Sequence, residues 1–91
     1  MVSKKALANQ ERHANAIKTL QTVADSNITP RNIRKIVKDS IVILNDSSLS
    51  LSVRAANAIS MLDEASQDPN MPSFARVTLW TAVSSLEAIR E

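Results

Sequence analysis

The sequence predicts an all-α fold, and three observations carry that prediction. The 91 residues include no glycine, which removes the φ > 0 turns of tight hairpins and the loops that cradle phosphates. Apolar residues recur at helical rather than alternating spacing along four stretches. Polar, proline-punctuated breaks near residues 25–30, 45–48 and 66–72 separate those stretches. Together they predict a four-helix antiparallel bundle made of two helical hairpins, with a HEAT-like arrangement as the alternative. A chain of this length supports one core, so residues 1–91 are read as a single helical domain.

The first helix is expected from Ser3, an N-cap, to Ala24, with Leu7, Ala14, Ile17, Leu20 and Ala24 on one face. Its polar beginning, residues 1–10, is expected to fray. Asp25-Ser26-Asn27 ends it, and Asn27 is a candidate for the αL conformation that glycine would otherwise supply. Thr29-Pro30 reads as an N-cap followed by proline at the first helical position. The second helix then carries Ile33, Ile36, Val37, Ile41 and Leu44. Ser40–Leu44 has strand composition in isolation, but the helical stripe and the lack of a partner strand favour helix. Ser48 or Ser50 caps the third helix, whose apolar face is Ala55, Ile59 and Leu62 among many small residues. Pro72 opens the fourth, with Ala75, Leu79, Ala82, Val83, Leu86 and Ile89.

An internal repeat is visible. Pro30-Arg31-Asn32-Ile33-Arg34 with Leu44 aligns with Pro72-Ser73-Phe74-Ala75-Arg76 with Leu86 at an offset of 42 residues. Upstream, Asp25-x-Asn27-Ile28 aligns with Asp68-x-Asn70-Met71 at 43. A two-helix period of this size is that of HEAT-type units, and chance likeness between capped amphipathic helices is the competing explanation.

The composition argues against catalysis. One histidine, His13, and no cysteine or tyrosine leave no histidine relay, no thiolate site and no multi-histidine metal site within one chain. No cofactor site is expected, and His13 reads as a boundary residue beside Ile17 and Leu20. Absence of cysteine, of a signal peptide and of a ~20-residue apolar span points to a cytoplasmic protein away from membranes.

Charge is uneven. Residues 1–49 carry eight basic and four acidic side chains, and residues 50–91 carry three basic and five acidic. Arg31, Arg34, Lys35 and Lys38, at i, i+3, i+4 and i+7, share one side of the second helix. They form a possible docking face for an RNA-containing machine, or else a solvated surface. Val42, Phe74, Val77 and Trp80 fall off the main stripes and are candidates for an interface or for central burial. Arg54 and Arg76 stand in the opening turns of their helices, where a cation opposes the helix dipole. Arg76 is therefore expected to fork onto Asp63, Glu64 or Asp68 and, with Pro72, to fix the hinge between the last two helices. Marginal stability at this size favours a homo-oligomer or a protein partner.

VRAANAISMLDEASQDPNMPSFARVTLW, with PRNIR upstream and AVSSLEAI downstream, closely resembles the archaeal group called uncharacterised protein family 0147. The similarity covers roughly residues 17–91. The resemblance implies a small all-helical archaeal protein with no established activity, and it brings no functional residues with it. The function best matched to these features is a non-enzymatic, self-associating interaction or scaffold protein.

Overall fold

The computed structural model describes residues 3–90 and contains four helices: α1 (Lys4–Ala24), α2 (Arg31–Leu44), α3 (Leu51–Ser66) and α4 (Ser73–Glu87). They form a closed antiparallel ring in which each helix packs on its two sequence neighbours and α4 returns to α1. The diagonal pairs, α1 with α3 and α2 with α4, make no comparable contact. A HEAT-type solenoid stacks those pairs, so the arrangement is the closed bundle rather than the repeat array. Among the described residues, no helix is long and apolar enough to cross a membrane.

The core runs the length of the ring and follows the 42-residue repeat. Ala16 and Ala58, Leu20 and Leu62, Val23 and Ala65, Ile33 and Ala75, Val37 and Leu79, and Leu44 and Leu86 are all buried. Each pair is separated by 42 positions, so α1–α2 and α3–α4 are related by a pseudo-two-fold along the bundle. Ser40 occupies the position of Ala82, and its hydroxyl donates to the Val37 carbonyl at 2.6 Å, which satisfies it within its own helix. Alanine and serine at these levels let neighbouring helices approach closely.

Two expected faces shift. In α1 the buried line is Asn9, Ala16, Leu20, Val23 and Ala24, while Leu7 and Ala14 are exposed. Counting large apolar residues aimed the face toward Leu7, but the packing surface uses the small side chains. Residues 3–10 are helical from Lys4 onward rather than frayed. Ser3 accepts a hydrogen bond from the Ala6 N–H at 3.1 Å, and the buried Asn9 ties this segment to the end of the chain. Met1 and Val2, which belonged to the same expectation, lie outside the described residues.

The three connections share one frame. Each helix ends in a right-handed residue, and a four-residue turn follows, closed by Thr29 N–H to Ser26 O, Leu49 N–H to Asp46 O, and Met71 N–H to Asp68 O. An extended residue then caps the next helix: Pro30, Ser50 or Pro72. Ser50, not Ser48, caps α3 by accepting from Val53 N–H. Asp46 accepts from both the Ser48 hydroxyl and its N–H, and those bonds hold its carboxyl below the usual range. No described residue has positive φ, so Asn27 is not the αL cap the sequence led us to expect. The frame also corrects the repeat: Thr29, not Ile28, is the counterpart of Met71, so the offset is 42 throughout. Ile28 is 71% exposed, whereas Thr29 and Met71 are both buried.

Thr29 therefore does not cap α2. Pro30 holds the cap position, and the Thr29 hydroxyl is buried without a hydrogen-bond partner in a seat that its counterpart Met71 fills with apolar atoms. Thr29→Val should raise stability by about 1 kcal/mol, because a buried, unpaired hydroxyl costs on that order. The thermal midpoint should rise by about 4–8 °C for a domain of this size. A fall of similar size in a melting experiment would instead restore the capping role.

Candidate interaction surfaces

Four helix C-termini must satisfy their last carbonyls without glycine. At one end of the bundle, side chains from neighbouring helices do this. Arg54 of α3 donates from Nε to the Leu49 carbonyl at 2.9 Å and from Nη1 to the Leu44 carbonyl at 3.3 Å. His13 of α1 reaches the same Leu44 oxygen at 2.6 Å, and because a carbonyl only accepts, His13 Nε2 carries the proton. Arg12 donates to the Ala88 carbonyl at 3.0 Å, and Asn9 pairs with the Arg90 backbone through Nδ2 to O at 2.7 Å and N–H to Oδ1 at 3.1 Å. Arg12 and Arg54 stand 42 residues apart, so the two halves cap each other's second helix. His13 is thus a structural hydrogen-bond donor at the boundary. Sequence reasoning did not assign Asn9, Arg12 or Arg54 this role, because the helix-end acceptors at Leu44, Ala88 and Arg90 are backbone atoms 10–81 residues away.

The opposite end is different. Arg34 and Arg76 occupy the same place after their caps, four residues beyond Pro30 and Pro72, as Arg54 does after Ser50. The Nε of Arg34 is buried with no hydrogen-bond partner. Arg76 does not fork onto Asp63, Glu64 or Asp68: among the described residues the one ion pair within 4.0 Å joins Lys35 and Asp39. Asp68 instead accepts from Asn70 N–H at 2.8 Å and from Asn32 Nδ2 at 2.7 Å, which fastens the α3–α4 connection to the start of α2. Asp63 and Glu64 are exposed. Local turn geometry claimed Asp68 first, and Asn32 competed for what remained.

Arg31, Arg34, Lys35 and Lys38 do come together. With Asn32 and Asp39 they line an open groove of about 850 Å³ along the outer side of α2. Lys35 and Asp39, at 3.3 Å, are both exposed, so their pairing is weak and readily exchanged. Val42 continues this stripe one turn on and is 68% exposed.

The proposed apolar interface divides in two. Phe74, Val77 and Trp80 are exposed on α4, with Val77 at 61% and Trp80 at 64%. Val42 lies on α2, which does not pack against α4, so it belongs to a separate surface. Between Arg76 and Glu87 α4 carries no charged residue.

The family model described as Uncharacterised protein family (UPF0147) matches residues 1–89, reaching further toward the N-terminus than the motif around the α3–α4 connection. A protein of that name from Metallosphaera sedula is 52% identical over 83 residues, which cover 91% of this chain and 93% of that one. Its counterpart from Sulfurisphaera tokodaii is 48% identical over the same length. A crystal structure of a member of the same uncharacterised family from Thermoplasma acidophilum is 35% identical, with a TM-score of 0.86, covering 91% of this chain and 98% of that chain.

The two arginines give opposite expectations in urea unfolding. Arg54→Ala removes charge-assisted bonds to one helix-terminal carbonyl, Leu44, and one carbonyl of the α2–α3 connection, Leu49, and should cost about 2–3 kcal/mol. Arg76→Ala loses only stem packing and should cost less than about 1 kcal/mol. Equal losses would mean that capping by Arg54 adds nothing to side-chain packing.

Proposed function

The chain belongs to the uncharacterised protein family UPF0147, and from that premise we propose that it acts in the cytoplasm by binding rather than by catalysis. In this reading it is a helical interaction or scaffold protein that self-associates through the outer face of α4. The observation that carries the reading is the exposed, uncharged stripe of Phe74, Val77 and Trp80 on that helix. A face without charge is self-complementary, so two copies can meet across a two-fold without opposing like charges. A tryptophan in such a patch supplies the large, low-entropy contact that anchors interfaces. His13 is engaged on the Leu44 carbonyl, and Asp46 and Asp68 accept from loop N–H donors.

A second reading is favoured by one observation, the groove that gathers Arg31, Arg34, Lys35 and Lys38. In it the protein is an accessory of an RNA-containing machine and docks through α2.

Sedimentation equilibrium over a wide concentration range tests the first reading. The wild-type chain should associate, and Trp80→Glu should weaken that association at least tenfold while the helical circular dichroism is retained. A wild-type chain that stays monomeric at millimolar concentration would remove self-association from the reading.

A further inference from the structure

We propose that the groove on α2 binds the phosphate backbone of a base-paired nucleic acid, an inference that rests on the second reading and names its ligand. Arg31, Lys35 and Lys38 recur at i, i+4 and i+7 and are exposed on the side of α2 opposite Ile33, Val37 and Leu44. At ~1.5 Å rise per residue this row of cations is about 10 Å long and straight. A duplex strand presents a phosphate about every 3.4 Å along its axis, so the row spans about three of them. Arg34 lines the same groove, and its buried Nε has no acceptor in the protein. The equivalent Nε of Arg54 is used on a backbone carbonyl at 2.9 Å, so the α2 arginine keeps one N–H that the fold does not pair. The groove contains one carboxylate, Asp39, whose exposed pairing with Lys35 a phosphate can replace.

Base-paired rather than unpaired nucleic acid is indicated by what is missing from this face. Gripping unpaired strands relies on aromatic side chains that stack on bases. The two aromatic residues, Phe74 and Trp80, stand on α4, diagonal to α2 in the ring. A rigid helix face of cations reads shape and charge, and the exposed Val42 at its end offers an apolar contact to sugar edges.

Fluorescence anisotropy of the full chain with labelled 20-base-pair RNA and DNA duplexes, and with the matching single-stranded RNA, tests this at 50 and 150 mM salt. The expected result is duplex binding that falls about 20- to 50-fold between the two salts, as three to four phosphate contacts require. The triple variant Arg31→Gln, Lys35→Gln, Lys38→Gln should lose at least tenfold in duplex affinity at 50 mM salt and most of the salt dependence. The control Lys4→Gln, Lys5→Gln, Lys18→Gln on α1 should retain both. Binding to the single strand alone overturns the duplex assignment and leaves the RNA-docking reading standing. Duplex binding that the α2 variant does not weaken places the contact elsewhere and overturns the proposal. No binding to any of the three probes at 50 mM salt overturns both the proposal and the reading beneath it.

Discussion

The absence of glycine is the constraint on which the rest of this structure depends. A helix that cannot turn into αL must find other donors for its last carbonyls, or leave them to water. Here the C-termini of α2 and α4 are closed by side chains of α1 and α3, which reach across to Leu44, Ala88 and the Arg90 backbone. Each such bond does two things at once: it satisfies a polar group and it fixes the angle between two helices. A charged donor on a carbonyl contributes more than a neutral one, so a few long side chains carry much of the specificity of the ring.

The same constraint separates the two ends of the molecule. The pseudo-two-fold places α2 and α4 in equivalent settings, and the 42-residue offset in the buried positions shows how closely the halves agree. At the end holding the C-termini of α2 and α4, arginine is consumed by the fold. At the other end the prolines Pro30 and Pro72 take the cap positions and make no side-chain bond, and the arginines that follow them remain without a carbonyl. Cationic capacity that stabilises one end is thereby left available at the other, on α2. On α4 the outer face carries the apolar residues instead. The two surfaces most open to a partner are thus the outer sides of two helices that stand diagonally in the ring.

Much of the fold was legible in the sequence because helix periodicity and turn residues are local signals. The boundaries of α1, the Ser3 cap, the opening of α4 at Pro72 and the four-helix count all follow from residues within a few positions of one another, and Ser50 was one of two candidates for the α3 cap. The face of α1 was misread because hydrophobicity favoured Leu7 over the smaller Ala16 and Val23, and only the neighbouring helices decide which residues pack. Thr29 was misread because a threonine before a proline has the chemistry of a cap, whereas the common loop frame needs an apolar residue there. Of the candidate sites, Arg31, Arg34, Lys35 and Lys38 could be grouped from helical spacing alone. The failure of Arg76 to reach Asp63, Glu64 or Asp68, and the capping by Asn9, Arg12 and Arg54, depend on tertiary placement that no local pattern encodes.

Capping from neighbouring helices is the central claim, and the exchange of arginine guanidinium Nη protons with solvent, followed by nuclear magnetic resonance, tests it most directly. The Arg54 Nη1 protons, one of them held on the Leu44 carbonyl that ends α2, should exchange at least tenfold more slowly than those of Arg76, which caps no carbonyl. Equal rates for the two would contradict the account, because Arg54 would then be no more engaged than an arginine that caps nothing.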